Sequence, residues 1–165
     1  MNILDWIIIT WLAISFIIGV RTGFIYHLGT FVGLILGSYI AGQNYQMLVD
    51  NFGENPWGPF VLFTVIIIVI GIIAGIFSLV LDKIFKFVSW LPFLKSVNKI
   101  LGGLVAVITS IFLLGILMFF LSRVEISHML TQTIAESSFA MILVLIGQVM
   151  SFILPESISE LSKIY

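Results

Sequence analysis

Four ionisable residues fall inside or at the ends of long apolar runs: Asp5, Arg21, His27 and Asp82. Charged and titratable groups in such surroundings are costly and mark functional positions by default. Arg21, His27 and Asp82 fall toward one end of their runs, where they could pass protons or ions as a relay. The alternative is that all four are interfacial groups whose side chains reach out to water. A second group combines charge with aromatic rings: Lys83, Lys86, Trp90, Lys95 and Lys99, with Phe85, Phe87 and Phe93 between them and Pro92 breaking the run. Lysines interleaved with aromatics suit the headgroup layer of an anionic leaflet, as a lipid-binding loop or as a plain positive anchor. His128 has Glu125 three residues before it, which is not a metal-ligand set.

No other reactive constellation is present. There is no H-E-x-x-H, G-x-S-x-G, P-loop or G-x-G-x-x-G motif. The chain has no cysteine, which excludes disulfides, thiolate metal sites, thiol catalysis and lipid anchoring on Cys. No catalytic residue, metal or cofactor is expected, and the chain reads as a non-enzyme.

The elements that position these residues follow from composition. Of 165 residues, 61% are apolar and 9% charged, with a net charge of −1, and the mean hydropathy is +1.25. Soluble domains average about 45–50% apolar and about 25% charged residues. A soluble globule, a disordered chain and a basic nucleic-acid binder are excluded. Uncharged stretches run over 6–20, 22–49, 55–81, 100–122 and 137–155. A spanning helix needs roughly 20 apolar residues. The spacing predicts an all-α, polytopic helical membrane protein with four transmembrane helices, about 4–20, 24–42, 61–81 and 100–122. Sixteen of the residues in 61–81 are Val, Leu, Ile or Phe, which makes it the strongest span.

The first two spans are expected to form a helical hairpin, turning at Gly19-Val20-Arg21-Thr22-Gly23. Asp5 and Arg21 would then each reach water at opposite interfaces. The N-terminus lacks the basic region and cleavage site of a signal peptide and reads as a retained first span. The C-terminal segment 123–165 holds a fifth, short apolar helix, 139–154, which could be re-entrant, interfacial or spanning. Its small or polar stripe is Ala140, Gly147, Gln148 and Ser151.

Orientation follows from the loop lysines. Segment 82–99 carries four, while 43–56 carries none and holds Asp50 and Glu54. The basic loop 82–99 is therefore expected in the cytoplasm and loop 43–56 outside, with Trp6 and Trp57 near the outer interface.

Small residues recur on single helix faces. They are Gly29, Gly33 and Gly37 in the second span; Gly71, Gly75 and Ser78 in the third; and Gly102, Ala106 and Ser110 in the fourth. In lipid, such faces drive close helix association. They could pack within one chain, in a homo-oligomer, or against a membrane-protein partner.

Several of these stretches together resemble the CvpA family, the colicin V production proteins. They are Leu4-Asp5-Trp6, Gly19-Val20-Arg21-Thr22-Gly23-Phe24, Leu81-Asp82-Lys83 and Asn98-Lys99-Ile100-Leu101-Gly102-Gly103. Asn98-Lys99 stands where the family pattern often has Asp-Arg. The resemblance implies a multi-pass protein of the bacterial inner membrane linked to bacteriocin production or export and to the envelope. Lipids and helix contacts are then the expected partners, with no nucleic acid. A small oligomeric transporter or channel, with Arg21, His27, Asp82, Gln148 and Ser151 lining its pore, and a lipid-handling protein are the competing readings.

Overall fold

A computed structural model describes residues 2–44, 47, 50, 57–85, 92–123 and 128–151. They form six helices: α1 Ile3–Thr22, α2 Phe24–Gln43, α3 Trp57–Phe85, α4 Pro92–Arg123, α5 His128–Glu136 and α6 Ser138–Ser151. The first four are long and apolar enough to cross a membrane. At 1.5 Å per residue, even the 20-residue α1 and α2 reach about 30 Å, the thickness of a hydrocarbon core. The 14 residues of α6 reach only about 21 Å.

Helix α4 is the hub, touching α1, α2, α5 and α6. Helix α3 lies against α2 in the most extensive pairing of the molecule. That pairing is antiparallel and set by small residues. A Cβ on Gly33 would stand 2.5 Å from the Cβ of Ala74, and one on Gly37 would stand 3.1 Å from the Cα of Ile67. One on Gly29 would overlap Ser78, and Gly75 faces Thr30 and Tyr26. Lipid gives no hydrophobic reward for helix association, so this backbone approach is what holds the pair.

The first corner differs from the expected hairpin in two respects. Only Gly23 leaves the helix, at φ 90° and ψ 169°, a left-handed conformation that a side chain disfavours. Gly19 remains helical and serves packing: a Cβ there would strike the Gly102 carbonyl and lie 2.5 Å from the Cβ of Ala106. Moreover, α1 and α2 barely touch each other, and α4 contacts both. Gly102, Gly103 and Ala106 are small enough to let α4 approach between them at the corner.

Two apolar cores flank α4. Leu34, Ala41, Phe63, Ile67, Phe112 and Ile116 join α2, α3 and α4. Ile8, Met118, Ile134, Ala140 and Leu143 join α1, α4, α5 and α6. The outward surface is largely aliphatic and aromatic, with Trp6, Trp11, Ile73 and Phe77 all exposed, as a surface facing lipid tails requires.

Candidate functional site: two polar joints at opposite ends

Each helix start leaves backbone N–H groups without intrahelical partners, and in lipid no water replaces them. At the start of α1, the Asn2 side chain accepts from Ile3 N–H at 2.6 Å, and the Asp5 carboxylate accepts from Asn2 N–H at 2.7 Å. The two residues form a capping box. The start of α6 is capped similarly, by Ser137 Oγ accepting from Ala140 N–H at 3.0 Å. The two caps meet. The second carboxylate oxygen of Asp5 accepts from the Ser137 hydroxyl at 2.5 Å and from Phe139 N–H at 3.3 Å. The Asn2 amide also donates to the Thr133 carbonyl of α5 at 3.1 Å.

Asp5 and Ser137 are almost fully buried, at 1% and 0% exposure. The Asp5 carboxylate therefore does not reach out to water, as a solvated interfacial charge would. Three donors and the positive ends of two helices supply what water would have supplied. Asn2 and Ser137 carry as much of this joint as Asp5 does. Their signal is local: Asn2-x-x-Asp5 precedes one apolar run, and Ser137 precedes another.

The second joint is the Gly23 corner. Glycine has no side chain with which to cap α2, and α4 supplies the cap instead: Asn98 Oδ1 accepts from Phe24 N–H at 3.1 Å. The Asn98 amide also packs on Gly23, where a Cβ would lie 2.6 Å from its Nδ2. Thr22 Oγ lies 2.8 Å from the Ile18 carbonyl, to which it donates, and 2.7 Å from His27 Nε2. The His27 ring is buried and meets the ring of Tyr26 edge-on.

Arg21 lies at this corner end of α1 and is exposed; Lys83 and Lys99 are exposed too. The antiparallel register of α2 and α3 carries the backbone of Asp82 to the same end, level with the first turn of α2; its side chain lies outside the described residues. Arg21, His27 and Asp82 thus share one end of the bundle. Asp5 stands at the other, sixteen positions from Arg21 along α1, or about 24 Å. Lys86 and Trp90 lie outside the described residues, as do the side chains of Lys95, Trp57 and His128. Among the described residues no three His, Cys, Asp or Glu groups gather as a metal site would require.

Between the joints, Ser110 donates to Ser15 Oγ at 2.7 Å, beside the contact of Gly19 with Gly102 and Ala106. Ser15 and Gly19 of α1 and Gly23 at its end thus form a small-residue row at four-residue spacing. On α6 the buried face is Ala140, Leu143 and Gly147, whereas Gln148 is exposed. A Cβ on Gly147 would strike the Gly115 carbonyl of α4, so this side is closed by a neighbouring helix.

Four long apolar helices seamed by small residues define a multi-pass helical membrane protein. The chain belongs to the colicin V production protein family, whose model matches residues 4–151. That match spans Asp5, Ser137, the Gly23 corner and Asn98. No match was found among curated proteins, and none among solved structures.

Proposed function

We propose that this chain is a non-enzymatic protein of the bacterial cytoplasmic membrane that assists colicin V-type bacteriocin production or export, or envelope maintenance, through helix contacts with itself or a membrane partner. One observation carries the reading. The buried polar residues described are Asp5, His27, Ser38, Thr109, Ser110 and Ser137, and each hydrogen-bonds within the protein. Their polarity is used to build and join helices. Charge supports the orientation: Arg21, Lys83 and Lys99 belong to the cytoplasmic end, and the Asp5 joint to the outer end.

Crosslinking in native membranes tests the role. A defined homo-oligomer or a reproducible membrane-protein partner is expected. Recovery of monomer alone, from cells that produce the bacteriocin normally, would count against it. Orientation is read separately with single cysteines at Lys99 and Gln43, both exposed. An impermeant thiol reagent added to intact cells should label only the second.

A further inference from the structure

The Asp5 carboxylate of α1 bonds the Ser137 hydroxyl, 132 positions away in sequence, and with it the start of α6. We propose that Asp5 is a latch: the α5–α6 segment stays docked on α1 and α4 only while this side chain is a carboxylate.

The hydrogen-bond inventory carries the argument. Each hydrogen-bond partner of Asp5 among the described residues is a donor: Asn2 N–H, the Ser137 hydroxyl and Phe139 N–H. The Ser137 oxygen already accepts from Ala140 N–H, which directs its proton to Asp5. An ionised carboxylate is acceptor-only and satisfies all three. A neutral carboxyl or carboxamide must present a donor on one side. Placed toward Ser137 it opposes two donors; placed toward Asn2 it opposes the cap of α1. Either orientation leaves a buried polar group unpaired, which is costly where water is excluded.

Beside Asn2, Thr133 and Ser137, the described side chains packed near the joint include the apolar Leu4, Ile8, Met118, Leu121, Ile134 and Leu143. Glu136 of α5 is exposed and accepts from Gln132. The rest of the segment is held by the Asn2 amide on the Thr133 carbonyl and by packing, chiefly Gly147 against Gly115 and Leu143 in the apolar cluster. It has no small-residue seam as long as that between α2 and α3. Loss of the latch should therefore free α6 before the other pairings.

The chain has no cysteine, so paired spin labels can be placed cleanly. One pair, at Met141 on α6 and Leu104 on α4, reports docking. A second, at Leu36 on α2 and Ile73 on α3, reports the remaining bundle. All four positions are exposed. With Asp5 intact, each pair in lipid nanodiscs should give one narrow distance. In Asp5→Asn the α6–α4 distribution should broaden or shift by roughly 5 Å or more, the height of a helical turn, while the α2–α3 pair stays unchanged. Ser137→Ala, which removes the bridging hydroxyl but keeps the carboxylate, should broaden the same pair. Unchanged α6–α4 distances in both variants would overturn the latch. So would equal broadening of both pairs, which would make Asp5 a support of the whole fold.

Discussion

The two joints answer one physical requirement in different ways. At the Asp5 end, a carboxylate serves two helix starts that no short covalent link holds together. At the Gly23 corner, a neutral carboxamide serves one helix start, and the backbone already joins α1 to α2. Charge-assisted hydrogen bonds are roughly twice as strong as neutral ones. The stronger device sits where chain connectivity helps least. A corner closed by one glycine needs only an acceptor for Phe24 N–H, and Asn98 provides it.

The sharpest way to break this contrast is Asp5→Ala, for which the largest loss is expected. It leaves the Ser137 hydroxyl and two backbone N–H groups without their acceptor. Thermal unfolding in detergent should fall by about 5 °C or more, beyond that of any variant below. A Tm within a degree of the parent's would show that the charged joint carries no stability.

Gly102→Val comes next, because it attacks the neutral corner through shape. A Cβ at Gly102 would lie 2.5 Å from both the Gly19 carbonyl oxygen and the Gly23 carbonyl carbon. Backbone cannot move aside there without parting α1 from α4. Overpacking of this kind costs about 1–3 kcal/mol, measurable by steric trapping or denaturant titration. The corner should open while the α6–α4 distance holds.

Asn98→Ala and Asn98→Asp then sharpen the comparison chemically. Alanine removes the cap of α2 and should cost about 1 kcal/mol. Aspartate restores an acceptor and adds a charge at the positive end of α2, so it should recover that loss. If aspartate were as damaging as alanine, the Asn98 amide packed on Gly23 would be the element that matters.

Legibility followed the range of each interaction. The four apolar helices and the family were readable because hydropathy, helical period and short motifs are local. The small residues at 29, 33, 37, 71 and 75 stood out for the same reason, but their partners did not, since a helical period reveals a face and not what lies opposite. Gly19 reads as part of the turn because a glycine two residues from an arginine in a long apolar run signals reversal equally well. Only the approach of Gly102 and Ala106 shows its use. Asp5 reads as solvated because it lies near the end of an apolar run, where a side chain can reach the interface. Besides the local Asn2 N–H, its partners are Ser137 and Phe139, and two capping signals so far apart reveal their meeting only in three dimensions.

The smallest effect is expected midway between the joints, and it bounds the comparison. Ser110 and Ser15 share one hydrogen bond across the α1–α4 seam, with small residues packed beside it. Interhelical hydrogen bonds in membranes average about 0.6 kcal/mol, because helices apart in lipid find other partners. Ser110→Ala also removes little volume, so it should lower stability by about that amount, within reach of a steric-trapping measurement with replicates. Ser15→Ala should match it, and the double variant should lose little more than either single one, since both remove the same bond. Additive losses would mean that each hydroxyl serves a different partner. A loss as large as that of Asp5→Ala would mean that polarity anywhere along α1, rather than at helix starts, holds this bundle together.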